Sequence, residues 1–225
     1  MCMKDQTIPD ETAMTLPIFP LPDVILLPGG DLPLNIFEPR YIAMVRDALA
    51  GDRLIGMIQP YSRITIDVNE RPTPFYKIGC AGRISAFEEL PDGRFLINLH
   101  GVSRFEMVTH RKTDGGYYKA QVDYTHFADD LRDPDALPEC MTRHCLIEKF
   151  QEYLAKQGLH VDWDMANDIP DHRFYTLLAM ICPFTGAEKQ ALLEADSFEE
   201  RCRMMKCMME IACAEDHHIT PERPC

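Results

Sequence analysis

The chain has 225 residues, of which 46% are hydrophobic, and it carries a formal net charge of −13. This length allows one large domain or two small ones, and the acidic charge disfavours binding to nucleic acids and to anionic membranes. No run of about 18 apolar residues suggests a spanning helix, and residues 1–6 lack the apolar core of a secretory signal. The nine scattered cysteines indicate reduced thiols and therefore a cytoplasmic protein.

The first 36 residues predict a loose tail followed by short extended segments. Residues 1–14 are polar and aperiodic, as expected for a tail. Residues 16–21 are apolar but rich in proline, which lacks the backbone donor, so they predict an edge strand at best. Residues 24–27 predict a short buried strand that ends at a Pro-Gly-Gly turn. Residues 32–36 predict a second short extended segment.

A helix is predicted to start at Pro39, because a missing N–H costs nothing in the first helical turn. Ile42, Val45 and Leu49 recur at the spacing of one buried helical face. Gly51 is expected to terminate the helix in the left-handed conformation that glycine adopts freely.

The middle of the chain has the pattern of short strands separated by turns, which favours a small barrel. Glycines inside a strand often mark a bulge or a barrel corner, so Gly79 and Gly82 predict one here. The segments 91–93 and 114–116 combine Asp with Gly and predict the turns of two hairpins. The strands are predicted over residues 54–58, 78–87, 95–99, 102–108 and 117–122.

The period becomes helical after residue 134. Thr185 with Glu188, and Ser197 with Glu200, have the spacing of a capping box, so each pair predicts a helix start. Helices are predicted over residues 137–157, 171–181, 186–195 and 198–214. The expected fold class is α+β, with a tail over 1–14, a barrel subdomain over 15–130, a helical subdomain over 131–216 and a second tail over 217–225.

The sequence lacks the motifs of nucleotide-dependent or serine-based catalysis. No Gly-Lys dipeptide occurs, so a Walker A loop is not expected. None of the four serines, at positions 62, 85, 103 and 197, stands in G-x-S-x-G or beside a residue that would activate it. We therefore expect no enzyme activity and assign no catalytic or cofactor-binding residues.

Two groups of cysteine and histidine residues have the right chemistry for zinc but poor spacing. Cys140 and His144 are four residues apart on a predicted helix, with Cys145 beside them. The second group is Cys202, Cys207, Cys213, His217 and His218. Packed or exposed free thiols are the favoured interpretation, and Cys225 is expected to be an exposed thiol, so no metal site is assigned.

Several acidic and apolar groups allow both a structural and a functional interpretation. The acid pairs Glu88-Glu89, Asp129-Asp130 and Asp162/Asp164 are interpreted as solvated surface in so acidic a chain. Two of the four methionines Met204, Met205, Met208 and Met209 are expected in the helical core, and any exposed ones would form an adaptable binding surface. Residues 26–28 and 32–34 are likewise open to two interpretations, core packing or a binding surface. Glu38 is expected to cap the first helix and pair with Arg40.

Several strings of this sequence resemble the Lon N-terminal domain family. The opening string is LPIFPLPDVILLPG at 16–29, and it continues as LPLNIFEPRY at 32–41. Further similarity lies at 78–84, 90–94, 101–105 and, in the helical part, PFTGAEKQALL at 183–193. The resemblance covers roughly residues 15–214. Cys80-Ala81 departs from the family's usual β-branched pair, which we interpret as a packing variation.

The resemblance implies a PUA-like pseudo-barrel followed by a helical bundle. In Lon proteases this region helps to recognise unfolded or tagged proteins and supports oligomerisation, while separate ATPase and Ser-Lys protease domains follow it. This chain is similar to the recognition region alone. It is therefore expected to be a non-catalytic protein-binding module, an adaptor or regulator in proteolysis or protein quality control.

The expected partners are unfolded or extended polypeptides, an ATP-dependent protease, or both, with homo-oligomerisation as a further possibility. No cofactor is expected, and the residues that bind the polypeptide are not assigned. Two alternatives stay open at this point. One is a metal- or small-molecule-binding enzyme that uses the Cys and His groups; the other is RNA binding, since PUA-like folds include RNA binders, although the charge of −13 opposes it.

Overall fold

The computed structural model describes residues 14–61, 75–131, 143–156 and 169–215. Its strands are β1 (Met14–Pro20), β2 (Asp31–Ile36), β3 (Leu54–Ile58), β4 (Ile78–Glu89), β5 (Phe95–Lys112) and β6 (Tyr118–Asp123). Its helices are α1 (Pro39–Leu49), α2 (Arg143–Lys156), α3 (Asp171–Ile181), α4 (Gly186–Glu194) and α5 (Phe198–Glu215), with a short 3₁₀ segment over Thr125–Leu131.

The six strands form a mixed sheet that closes on itself. β1 runs parallel to β3, and the pairs β3–β4, β4–β5, β5–β6 and β6–β1 are antiparallel, so the pairing returns to its start. β2 joins the sheet beside the first part of β5. Closure removes free strand edges from the cycle. The expected α+β fold is confirmed, although β4 and β5, with 12 and 18 residues, are longer than the predicted strands.

The interior of the barrel is filled by apolar side chains from every strand of the cycle. Phe105 of β5 is fully buried there, together with Ile18 of β1. The wider cluster consists of Leu16, Leu54, Ile58, Phe75, Ala81, Met107, Ala120 and Val122. Burying such side chains is the main favourable term in folding, at about 1.5–3 kcal/mol for each large one.

β5 is one continuous strand of 18 residues, where the sequence predicts two separate strands. It stays continuous because two irregularities bend the β4–β5 ladder without breaking it, one between Ala81 and Gly82 and one between Ile84 and Ala86. The first irregularity lies opposite Gly82, where Val102 of β5 is the extra residue, close to the place where the strand glycines predict a bulge or a barrel corner. A side chain at Gly82 would overlap Leu26, and one at Gly79 would overlap the carbonyl oxygen of Met57.

β1 is an interior strand, so the prediction of an edge strand at residues 16–21 is wrong. It pairs with β6 over Met14–Ile18 and with β3 from Ile18 onward. The prolines fit because each lies where the strand has a hydrogen-bonded partner on one side only. Pro17 precedes the β3 pairing, and Pro20 follows the β6 pairing while its neighbour Leu21 donates to Ile58 O at 3.0 Å.

Residues 24–27 form no strand, which contradicts the sequence prediction, although Ile25, Leu26 and Leu27 are buried. The segment passes so close to β5 that a side chain at Gly101 would meet Leu27 O at 2.0 Å. Two backbone hydrogen bonds join it to β5: Gly29 N–H donates to Gly101 O at 2.9 Å, and Gly101 N–H donates to Gly30 O at 2.8 Å. These bonds satisfy the buried backbone in place of a regular ladder.

α1 starts at Pro39 as predicted, but its buried face differs from the predicted one. The buried residues are Tyr41, Met44, Val45 and Ala48, whereas Ile42 and Leu49 are only half-buried. Tyr41 meets Phe19 edge-on at 4.5 Å between ring centroids, and burial raises the pKa of Tyr41 to about 12. The apolar pattern fits either face, and packing against β1 selects the one that carries the aromatic ring.

The predicted ends of α1 are only partly correct. Glu38 occupies the N-cap position, but its carboxylate makes no cap bond and accepts hydrogen bonds from Arg40 instead. At the other end the helix closes on Ala50 in the right-handed conformation, and the positive φ of 59° falls on Arg53. Gly51 is therefore not the left-handed terminator that the sequence predicts.

The contacts divide the chain into two compact units, and α4 belongs to the unit of the barrel. That unit combines the barrel with Thr176–Glu194, while the second contains α2, the first part of α3 and α5. The sequence-based boundary near residue 130 places α4 in the helical subdomain, and the domain limits stay a prediction. Both predicted helix starts are capped: Thr185 and Glu188 form a full box, with Glu188 N–H donating to Thr185 Oγ1 at 3.3 Å and Thr185 N–H donating to Glu188 Oε2 at 2.7 Å, and Glu200 N–H donates to Ser197 Oγ at 3.1 Å.

Two buried glutamines anchor α4 to the barrel. Gln59 Nε2 donates to Gly186 O at 3.1 Å and to Gln190 Oε1 at 3.0 Å. Gln190 Nε2 in turn donates to Ile78 O of β4 at 3.1 Å, and Gln59 Oε1 accepts from Asp23 N–H at 3.1 Å. Buried polar groups need such partners, because an unmade bond costs their full desolvation.

We expect Gln190→Ala to lower the free energy of unfolding by about 1–3 kcal/mol, because Ile78 O loses its glutamine donor inside the protein. Urea unfolding followed by circular dichroism measures the change. Gln151→Ala is the matched control, since Gln151 is an exposed helical glutamine and should shift stability by about 0.5 kcal/mol or less. Equal effects of the two substitutions would contradict the anchoring role.

Arg104 makes a second buried link between the barrel and α4. Its side chain is 5% exposed and faces Asp130, whose side chain is 9% exposed, at 2.8 Å. Nη1 donates to Leu193 O near the end of α4 at 3.1 Å. The guanidinium also lies 4.3 Å from the centroid of the Phe127 ring. One side chain thus joins β5, the 3₁₀ segment and α4.

The second compact unit is held by Arg143 and a set of aromatic and apolar side chains. Arg143 Nη1 donates to Ile169 O at 2.7 Å and to Asp171 at 2.8 Å, and its guanidinium lies over the Phe174 ring. Met205 and Met209 are buried, while Met204 and Met208 are half-buried. The expectation that two of the four methionines face the core agrees with this arrangement.

Candidate polypeptide-binding surface

The first group of cysteine and histidine residues with zinc-like chemistry is not assembled in the part of the chain that the structure describes. His144 is 85% exposed and lies 3.3 Å from Glu148. Cys140 and the side chain of Cys145 fall outside the described residues. In the four described ranges, no three His, Cys, Asp or Glu side chains are grouped as a metal ion requires.

The cysteines of the second group occupy different environments. Cys202 is buried, Cys207 is exposed and Cys213 is intermediate. His217, His218 and Cys225 lie outside the described residues. Different degrees of burial on one helix are typical of packed and surface thiols.

The acid pairs and the serines that the structure describes have structural partners or lie on the surface. The interpretation as solvated surface is wrong for Asp130, whose side chain is 9% exposed and binds Arg104. Glu88, Glu89 and Asp129 are exposed, and Glu89 binds Arg46 at 2.9 Å. Asp162, Asp164 and Ser62 fall outside the described residues. The remaining serines hydrogen-bond locally: Ser85 and Ser103 to backbone oxygens, and Ser197 to the start of α5.

β2 forms one free edge of the sheet in the described residues, and proline interrupts its free side; the end of β4 beyond Arg83 is a second edge, because it pairs with β5 alone. Gly101 N–H donates to Gly30 O, so the backbone of Gly30 faces β5. Backbone N–H and C=O groups face the same neighbour at every second residue of a strand. The backbone groups that face β5 are therefore those of Leu32, Leu34 and Ile36. Pro33 then faces the free side, where its missing N–H breaks the row of donors. Proline at this place is a known way to blunt an edge against strand addition. At the β2 edge we therefore locate the candidate site on side chains and not on the backbone.

Three large apolar side chains are exposed at the end of the sheet formed by the β4–β5 hairpin and the end of β2. Phe37 is 64% exposed, Phe87 is 50% exposed and Leu96 is 40% exposed. Leu96 lies opposite Glu88 of β4 and Asn35 of β2, and Phe37 follows two residues after Asn35. We call Phe37 and Leu96 the hairpin-end surface, because Phe87 points to the opposite face of the sheet from Leu96.

The two faces of this sheet end differ in their cover. Phe87 lies across the strands from Ile97, which in turn pairs with Leu34. The next row on the same face is Ile36–Phe95–Glu89, and α1 partly covers it. Arg46 of α1 lies 5.7 Å from the centroid of the Phe95 ring and binds Glu89. Leu96 points to the opposite face.

A polar network borders Leu96 on its own face. Asn98 Nδ2 donates to Ser85 Oγ at 2.8 Å and to Asp31 Oδ1 at 3.2 Å, and His100 Nδ1 lies 3.0 Å from the same Asp31 oxygen. This face therefore joins an apolar end to a hydrogen-bonded polar strip. An apolar centre with a polar rim is the usual composition of a binding surface.

Sequence reasoning did not identify Phe37, Phe87 or Leu96 as site residues. Phe37 lies inside one of the strings that carry the family resemblance, and Phe87 and Leu96 lie in strands whose apolar residues are otherwise core. The exposure of these side chains depends on where α1 stops covering the sheet and where β4 and β5 extend beyond the barrel.

Among the helices of the described ranges, none combines the length and apolarity of a membrane-crossing segment.

The model of the ATP-dependent protease La (LON) substrate-binding domain matches residues 15–210. The Lon protease of Rhizobium meliloti (strain 1021) is 25% identical over 214 residues, which are 92% of this chain and 25% of that protein. Lon protease 1 of Herpetosiphon aurantiacus is 32% identical over 141 residues, 60% of this chain and 15% of that protein. The chain thus spans a quarter or less of either relative.

Two solved structures share the fold. The Lon N-terminal domain protein from Xanthomonas campestris is 24% identical, with a TM-score of 0.58, and the match covers 86% of this chain and 98% of that one. The N-terminal domain of the Mycobacterium avium complex Lon protease is 18% identical, with a TM-score of 0.57, and covers 92% and 100%. Because the family model spans nearly all of the described residues, this chain belongs to the Lon substrate-binding domain family.

Proposed function

We propose that this chain recognises apolar, extended segments of polypeptide substrates through the hairpin-end surface and performs no catalytic step itself. The observation that carries the proposal is the exposure of Phe37 and Leu96 at one end of the sheet of a substrate-binding domain. Large apolar side chains grouped on a surface commonly mark a binding site. Unfolded polypeptides present the complementary feature, because their apolar residues are in water.

Binding at such a surface is expected to be weak and tolerant of sequence. Covering a large apolar side chain gains about 1.5–3 kcal/mol at full burial, and these two side chains are already partly covered. Ordering an extended segment offsets part of this gain. Weak, broad recognition suits a domain that must hold many different unfolded proteins and release them.

The proposed setting is proteolysis or protein quality control, in which the chain acts as an adaptor or regulator. An ATP-dependent protease is the proposed partner that consumes the bound polypeptide. Homo-oligomerisation and a cytoplasmic location stay predictions from the resemblance and from the free cysteines.

The hairpin-end surface is tested with the double substitution Phe37→Ser and Leu96→Ser. We expect it to weaken binding of a fluorescent, permanently unfolded client protein about tenfold, since two apolar contacts worth roughly 0.5–1 kcal/mol each are lost. Fluorescence anisotropy measures the affinity. Urea unfolding should show little change in stability, because both side chains are exposed in the folded chain.

Val108→Ser is the matched control for this experiment. Val108 is 62% exposed and lies on the same strand β5, but it is in the β6-paired part and not in the hairpin end. It should bind the client as the unsubstituted chain does. If the double variant also binds as well as the unsubstituted chain, the proposed site is wrong.

A further inference from the structure

Glu88 is an exposed carboxylate at the hairpin end for which the described residues provide no ion-pair partner. The neighbouring carboxylates differ in this respect, because each is held by an arginine within 2.9 Å. These pairs are Glu38 with Arg40, Glu89 with Arg46, and Asp92 with Arg94. Glu88 therefore presents an uncompensated negative charge to solvent.

This charge lies beside one of the apolar side chains of the hairpin-end surface. Glu88 and Leu96 are direct partners in the β4–β5 ladder, so their side chains share one face of the sheet. Directly opposite residues have Cβ atoms about 4.5–5.5 Å apart. On the other side of Leu96 the partner is Asn35, which is uncharged.

We propose that the hairpin-end surface prefers extended segments in which an apolar residue and a lysine or arginine stand two positions apart. This inference rests on the proposed function and names its substrate class. In an extended segment, residues i and i+2 lie on one face about 6.5–7 Å apart, roughly 1–2.5 Å more than the Cβ spacing of a directly opposite pair, and the long side chain of lysine or arginine can span this difference. The apolar residue then covers Leu96 while the cation meets the Glu88 carboxylate.

The charge of the whole chain acts in the same direction. A net charge of −13 attracts cationic segments and repels acidic ones before contact. The contact with Glu88 differs from this general attraction because it depends on one residue and on one spacing. Substitution of Glu88 therefore separates the local contribution from the overall one.

The test measures binding of three labelled peptides to the full chain by anisotropy at low salt. Their repeating units are apolar-x-Lys, apolar-x-Glu and Ser-x-Lys. We expect the apolar-x-Lys peptide to bind about 3–5 times more tightly than the apolar-x-Glu peptide, the range of an exposed ion pair. Glu88→Gln should remove most of this preference, and salt at about 0.5 M should shrink it.

Glu210→Gln is the control, because it removes the same charge from an exposed position on α5. It should leave the preference intact. Equal binding of the apolar-x-Lys and apolar-x-Glu peptides, or a preference that survives Glu88→Gln, overturns the inference while the proposed function stands. If neither apolar peptide binds, or if Ser-x-Lys binds as tightly as apolar-x-Lys, apolar recognition itself fails and both ideas are wrong.

Discussion

Replacing Gly101 with alanine is expected to lower the free energy of unfolding by about 3 kcal/mol or more. The new Cβ would lie 2.0 Å from Leu27 O and 2.8 Å from the carbonyl carbon of the same residue. The obstacle is backbone, which cannot rotate away as a flexible side chain can. Separating the two segments would also strain the hydrogen bonds of Gly101 with Gly29 and Gly30, each worth about 0.5–1.5 kcal/mol.

Guanidinium unfolding of Gly101→Ala and of the unsubstituted chain measures this loss. Gly51→Ala is the matched control, since the nearest atom to its added Cβ is Asp47 O at 3.7 Å, an ordinary contact. That substitution should leave stability within about 0.5 kcal/mol. If Gly101→Ala is tolerated as well as the control, the close passage of residues 24–30 against β5 is wrong.

Arg104→Met should lower the free energy of unfolding by about 3–5 kcal/mol, the usual cost of breaking a buried ion pair from one side. Asp130 would keep its charge at a side-chain exposure of 9% and lose the arginine that neutralises it. Leu193 O would lose a buried donor, and the Phe127 ring would lose its guanidinium contact. Methionine retains much of the apolar volume, so the effect reports on charge and hydrogen bonding.

Thermal and urea unfolding of Arg104→Met check this expectation against Arg94→Met. Arg94 pairs with Asp92 at 2.7 Å, but both side chains are exposed, and such pairs contribute about 0–1 kcal/mol. Adding Asp130→Leu to Arg104→Met should restore part of the stability, because the unpaired charge is removed. Equal losses for Arg104→Met and Arg94→Met would contradict a buried role for the pair.

The sequence predicts those parts of the fold whose signals are local. Thr185 with Glu188 and Ser197 with Glu200 form their caps within one helical turn, so their spacing is sufficient. The glycines of β4 predict a bulge because a missing side chain frees the local backbone and lets a neighbouring segment pack close to it. The hairpin turns follow from Asp-Gly pairs for the same reason, and Gly93 and Gly116 both take φ near 84°.

The errors occur where distant residues determine the outcome. Residues 24–27 are as apolar as a buried strand, and only the passage against Gly101 shows that they pack without a ladder. Ile42 and Tyr41 are equally good candidates for the buried face of α1 until Phe19 of β1 is placed beside them. The link between Gln59 and Gln190 joins residues 131 positions apart, and nothing local to either glutamine predicts it.

The candidate site could not be predicted from the sequence for a related physical reason. Phe37, Phe87 and Leu96 have the composition of core residues, and their exposure results from cover that other elements do not provide. Glu88 belongs to an acid pair that is interpreted as solvated surface, and its exposure agrees with that. Its position beside Leu96 depends on the register of β4 and β5, which a bulge shifts.

The division of the barrel unit along the chain constrains the order of events during synthesis. The unit needs Thr176–Glu194, but the ribosome makes all the barrel strands before it makes this segment. At about 5–20 residues per second, several seconds separate the last strand from α4. During that interval the carbonyl of Ile78 and the guanidinium of Arg104 lack their α4 partners. Chaperones are therefore expected to be able to bind the nascent barrel until Glu194 has left the exit tunnel.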